Sequence, residues 1–293
     1  ALLTARLLFV LSKNETVSLL FLLFLPICIQ TRVSLDPILS FPPLLAFSII
    51  LIVSQALLFE IYCRKHHILV LILSYLIFLT SLLTYEVCVI AIFVNFIILF
   101  NNRRFNRREL FSVLVYLILL FSYFIILLFL KSTALNTYTG SEFNFSWQVW
   151  KSFCINLYAA IPFSYFYSDP AKIFVDRQFN FSDAWYFIAL GAIFFCLWYS
   201  SLRLWREQNL LEKRAVGALL MLGSVLFFLP ASILALSKRY QYEMNEFGLA
   251  PIAVIIATFG FSIFLSVATC AIFGLLNGRK LHCNLIVLSI GFA

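Results

Sequence analysis

Charge-free apolar runs follow one another along this chain, at 17–30, 43–59, 110–130, 184–202, 215–237 and 251–278, with a longer one at 68–100 that holds the single acid Glu86. A helix crossing the roughly 30 Å hydrocarbon layer needs about 20 such residues. The pattern therefore predicts membrane-spanning helices joined by short polar loops. The 68–100 run would make one helix of about 50 Å at 1.5 Å per residue, too long to span without severe tilt. Two shorter spans turning near Ser81-Leu-Leu-Thr-Tyr-Glu86 are the alternative.

The basic residues decide between these. Arg64-Lys65, Arg103-Arg104 with Arg107-Arg108, Arg203, Arg206, Lys213, Arg214 and Arg279-Lys280 gather in short loops. Such loops belong on the cytoplasmic side. The 60–67 and 101–109 loops then share a side, so an even number of crossings separates them and the turn at Glu86 faces outward. Complete spans are expected at 17–30, 43–59, 68–83, 85–100, 110–130, 184–205, 215–236 and 251–277. The apolar stretches Ala1–Leu11 and Leu285–Ala293 are read as truncated spans. Fourteen Lys/Arg and five acids fall inside, a net +9, while seven Lys/Arg and eight acids fall outside, a net −1.

Composition supports the same class. The chain of 293 residues is 63% hydrophobic and 12% charged, with a mean hydropathy of +1.01. A soluble domain carries about 25% charged residues. Soluble enzymes, disordered chains, coiled coils and secreted disulfide scaffolds are excluded. The expected architecture is all-α, a polytopic transmembrane bundle of about eight complete spans plus a truncated span at each end, with residues 1–293 forming a single domain. The net charge of +8 is an orientation signal with attraction to anionic lipid. The Asn101–Glu109 loop is read as an orientation anchor, and nucleic acid is not an expected partner.

Candidate chemistry is sparse. Cys28, Cys63, Cys88, Cys154, Cys196, Cys270 and Cys283 are scattered without CxxC or Cys/His spacing, so no metal site or disulfide framework is expected. His66, His67 and His282 flank basic residues at span ends and are read as interfacial. Glu86 is the first candidate, since a carboxylate between two apolar half-runs is a functional position by default; a helix-capping role is the alternative. The second is the external loop Leu236–Gly248, where Lys238 and Arg239 oppose the topological bias. Arg offers a planar fork to phosphate oxygens and Lys a point charge, and Tyr240 and Tyr242 could stack on a sugar. Glu243 and Glu246 could equally pair with those cations.

The third is the external stretch 131–183, rich in aromatics, whose 146–166 part is expected to form an interfacial helix on the outer leaflet. Glu142, Asp169, Asp176 and Asp183 are its acids. Asn144-Phe-Ser and Asn180-Phe-Ser fit the glycosylation pattern there; Asn14-Glu-Thr fits it on the opposite side, where the match is chance.

These places resemble a GT-C fold glycosyltransferase, a polytopic enzyme class using polyprenyl-phosphate-linked sugars. Leu79-Thr-Ser-Leu-Leu-Thr-Tyr-Glu86 resembles the acidic external turn between two short spans. Ser237-Lys-Arg-Tyr240, after Leu229-Pro230 and before Gly248-Leu-Ala-Pro251, resembles an Arg-Tyr motif in a late external loop. The resemblance implies sugar transfer on the external face from a polyprenyl-phosphate-linked donor. It makes Glu86 a secondary acidic residue near the donor, and Lys238, Arg239 and Tyr240 the phosphate and donor contacts. The leading acid of that class usually follows the first span; no match precedes residue 36, so the catalytic base is expected outside this chain. No particular cofactor is implied, and a divalent cation is compatible with the class. Membrane lipid and the lipid-linked sugar are the expected partners, in a bacterial inner membrane and cell-envelope pathway, with the endoplasmic reticulum as alternative. Other readings are a transporter or flippase of lipid-linked saccharide, and a polysaccharide polymerase or ligase. No internal repeat supports the transporter.

Overall fold

A computed structural model describes residues 1–29, 42–102, 106–133, 144–162, 164, 196, 211–243 and 252–277. Its helices are α1 (Leu2–Ser12), α2 (Glu15–Cys28), α3 (Pro42–Lys65), α4 (Ile68–Thr84), a 3-10 turn (Glu86–Val89), α5 (Ile90–Asn102), α6 (Arg107–Thr133), α7 (Gln148–Ala160), α8 (Lys213–Leu236), α9 (Lys238–Glu243) and α10 (Ile252–Asn277). The described residues contain no β-strand, and the fold is all-α. Four helices are long and apolar enough to cross a membrane: α3, α6, α8 and α10.

The expected count of about eight complete spans is not established. Helices α2, α4 and α5 occupy predicted runs but hold only 14, 17 and 13 residues. At 1.5 Å per residue they are about 20–26 Å long, short of the hydrocarbon thickness. The predicted spans at 184–205, apart from Cys196, and at 285–293 lie outside the described residues. The opening run is a short helix, α1, folded back on α2. Lys13 adopts a left-handed conformation (φ 54°) and donates its N–H to the Phe9 carbonyl at 2.7 Å. Asn14 then caps α2 by accepting from the N–H groups of Thr16 (2.9 Å) and Val17 (3.3 Å), and the Ser18 hydroxyl donates to the Ala5 carbonyl at 2.9 Å.

The 68–100 run does fold back at Tyr85. Gln55 on α3 donates to both Ser74 (3.3 Å) and Asn95 (3.1 Å), residues nearly equidistant from that turn. Only an antiparallel pair brings them to one level. Helix α3 packs on this pair, and α6 adds Phe59, Tyr75, Phe78 and Tyr116 ring contacts at its first half. The second half of α6 is largely exposed from Phe121 through Leu130, with Tyr123, Phe124 and Leu127 half-buried on one face.

The second half of the bundle is built on α8 and α10, which cross where Gly223 and Gly260 let the backbones touch. Small residues at a crossing allow this approach in membranes. Helix α2 packs on α10, with Phe21 and Phe259 in contact at 5.9 Å between ring centroids.

Two ends are thereby defined. Asn101 donates to the Leu11 carbonyl at 2.9 Å, and Arg214 donates to the Phe100 carbonyl and lies over the Phe100 ring. Tyr62 and Ser112 are bonded at 3.2 Å. The described basic loops therefore meet at one end. Tyr85 and the α8–α9 junction lie at the other.

Candidate functional site

Helix α8 stops at Leu236, Ser237 turns the chain with extended backbone, and α9 begins at Lys238. One buried side chain fastens α9 to its surroundings. Gln241, 1% exposed, accepts from Asn144 Nδ2 (3.0 Å) and the Ser146 hydroxyl (3.3 Å). Its Nε2 donates to the carbonyls of Asn144 (2.7 Å) and Ala235 (2.9 Å). All four hydrogen-bonding valences of the amide are filled. Asn144 N–H also donates to the Leu236 carbonyl at 3.0 Å, and the Ser152 hydroxyl donates to the Tyr240 carbonyl at 3.3 Å. The strand of chain entering α7 is clasped to α9. Asn144, one of the glycosylation-pattern residues, spends its amide in this clasp.

Helix α7 differs from the flat surface helix expected over 146–166. Phe153 packs with Leu45, Ala231 and Leu234, whereas Ala160 packs with Phe227 and Ala257. Seven residues along α7 match seven along α8, about 10.5 Å at 1.5 Å per residue. Helix α7 therefore descends beside α8, antiparallel to it, and into the bundle. Its buried face is Ser152, Ile155, Asn156, Ala159 and Ala160, small enough for close approach. Its other face exposes Trp147, Trp150, Lys151 and Cys154. The aromatic content of this stretch drew attention in the sequence; the Ala159-Ala160 pair carried the packing signal.

The candidate residues stand as follows. Glu86 is exposed at the start of the 3-10 turn, directly after Tyr85. Lys238 is exposed, and Arg239 and Tyr240 are half-buried on α9. Tyr85 and Tyr240 pack on one cluster, that of Leu45, Ala231 and Leu234, together with Phe153 and Leu157. Residues 155 apart in sequence, each beside a candidate charge, are thus joined through α3, α7 and α8. The side chains of Glu142, Asp169, Asp176, Asp183, Asn180, Glu243 and Glu246 lie outside the described residues. Among those described, no three His, Cys, Asp or Glu side chains gather. Glu86 is the one described carboxylate at this end.

No protein-family profile, curated protein or solved structure matches the chain. The site's chemistry rests on its own geometry.

Two acids at the basic end were counted in the sequence as loop residues. Glu60 is 3% exposed and Glu109 is fully buried. Glu60 pairs with Arg64 one turn along α3. Both carboxylate oxygens of Glu109, in the first turn of α6, are buried without a hydrogen-bond partner among the described residues. Sequence offers one signal for this: Glu109 precedes Ser112, Val113 and Tyr116, which form the packed face of α6.

Proposed function

We propose that this protein is a membrane glycosyltransferase-like protein of GT-C type, transferring a sugar from a polyprenyl-phosphate-linked donor at the membrane face opposite the basic loops. The observation that supports this reading is the shared packing of Tyr85 and Tyr240, which sets the Glu86 turn and the Lys238–Tyr240 helix on one cluster beside α7. In this reading Lys238 and Arg239 neutralise the donor phosphate, whose charge grows as the sugar leaves; fixed cations at that point lower the barrier. Tyr240 borders the sugar, and Glu86 accepts a hydrogen bond from it. The aromatic, lysine-bearing face of α7 meets the lipid headgroup boundary, where Trp and Lys side chains partition. The protein works in the bacterial inner membrane.

The test is sugar transfer by the full-length protein in liposomes carrying a polyprenyl-phosphate sugar. Arg239→Ala and Glu86→Gln are expected to lower turnover by at least tenfold, about 1.4 kcal/mol of transition-state stabilisation for each. Unchanged transfer in both variants refutes the assignment. A second reading, movement of a lipid-linked saccharide across the bilayer, is favoured by the buried Glu60 and Glu109, since intramembrane acids often mark transport paths. In the same liposomes, translocation of donor without transfer would select it.

A further inference from the structure

Near the middle of the bundle, four helices meet through polar side chains in an otherwise apolar interior. Gln55 (α3), Ser74 (α4), Asn95 (α5) and Tyr116 (α6) are each 0% exposed. The Tyr116 hydroxyl donates to Ser74 Oγ at 2.6 Å, and Ser74 Oγ donates to the Gln55 backbone carbonyl at 2.9 Å. Gln55 Nε2 donates to Ser74 Oγ at 3.3 Å and to Asn95 Oδ1 at 3.1 Å. Ser74 is thereby saturated, with one proton given and two accepted. The facing amides are not. Gln55 Oε1 and Asn95 Nδ2 are buried with no hydrogen-bond partner among the described residues.

We propose that this node binds one water molecule, bridging α3 and α5 by donating to the Gln55 carbonyl oxygen and accepting from the Asn95 amide. The ligand class follows from the demands of the two atoms. One needs a donor and the other an acceptor, so an anion or a cation alone would satisfy one and repel the other. A neutral O–H group meets both. Turning both amides over, the other orientation that keeps a hydrogen bond between them, exchanges the roles: Gln55 Nε2 and Asn95 Oδ1 would then be left, again one donor and one acceptor. The inference is therefore independent of how the amide atoms are assigned. Full burial of all four side chains leaves no path for the chain of an alcohol or lipid, which selects water. An unmatched amide group in an apolar interior costs about 1–3 kcal/mol, and a buried water with two or more polar partners is the usual remedy.

The test is water-to-protein polarisation transfer in magic-angle-spinning NMR of the 15N-labelled full chain in lipid bilayers. Transfer from water protons to the side-chain amides of both Asn95 and Gln55 is expected, standing above that at backbone amides of the same turns. It should be lost at Asn95 in Gln55→Leu and lost at Gln55 in Asn95→Leu. Absence of transfer in the unsubstituted protein, with both side-chain amide signals visible, overturns the proposal and requires no variant to fold. Persistence of transfer at Asn95 in a folded Gln55→Leu protein overturns the bridging geometry.

Discussion

Gly260 sits where α8 and α10 touch, and adding one methyl group there should separate them. An ideal Cβ on Gly260 would lie 2.6 Å from the Gly223 carbonyl oxygen and 2.6 Å from the Phe227 nitrogen, with the Leu226 carbonyl carbon at 3.0 Å. All three are backbone atoms of α8, so no rotamer change relieves the overlap. Comfortable non-bonded contact begins at about 3.5 Å, so the helices must part by somewhat under 1 Å, a gap that forfeits a quarter to a half of each dispersion contact. With about 30 atom pairs at 0.1–0.2 kcal/mol across the crossing, the loss is about 1–3 kcal/mol, the usual range for overpacking. Alanine's better helix propensity returns up to about 1 kcal/mol. Gly260→Ala is thus expected to cost about 1–2 kcal/mol net, read as a shift of the unfolding midpoint in a detergent or steric-trap titration. Two further glycines of α8 calibrate it. At Gly223 the new Cβ meets mainly the Phe264 ring, at 2.9 Å and 3.1 Å, with the Gly260 carbonyl at 3.2 Å; the half-buried ring can swing, so the cost should be smaller. At Gly217 nothing lies within 4 Å, and Gly217→Ala should be neutral or stabilising. A Gly260→Ala protein as stable as the parent, or the order reversed, refutes this account of the crossing.

Asn14→Ala removes the acceptor for two N–H groups at the start of α2 and should cost about 1 kcal/mol of stability; hydrogen exchange at Thr16 and Val17 should rise before that of the α2 interior. Glu109→Gln removes a buried carboxylate that has no hydrogen-bond partner among the described residues while keeping its shape. It is expected to be neutral or to stabilise by about 1–2 kcal/mol, and a loss larger than about 1 kcal/mol in the same titration would mean the charge is needed in the fold.

Hydropathy located α3, α6, α8 and α10 because a bilayer demands long apolar helices. The reversal at Tyr85 was also legible, since the basic loops at 60–67 and 101–109 had to share a side. Which face of each helix turns inward was not. In lipid the outward face is as apolar as the inward one, so periodicity says little, and only polar residues inside spans betray the interior. Gln55, Ser74 and Asn95 are such residues, and each proved buried. The ends of the helices were less readable. Glu60 and Glu109 look like loop charges by position, yet tertiary packing closes over both. The candidate charges Glu86, Lys238 and Arg239 were found by their conflict with hydropathy and topology, whereas Gln241, the side chain that holds α9, conflicts with neither and could be found only in three dimensions.

That fastening carries a consequence for the history of the chain. Gln241 and Asn144 satisfy each other across 97 residues of sequence, and neither Glu nor Leu at position 241 could both donate and accept as the amide does. A change at 241 takes the Nε2 donor from the main-chain carbonyls of Asn144 and Ala235, and a change at 144 takes the Nδ2 donor from the Gln241 side-chain oxygen. When diverged copies of this protein are compared, positions 144 and 241 should therefore vary as a pair or not at all. That covariation would register the pairing of α9 with the lead-in to α7 in sequences alone.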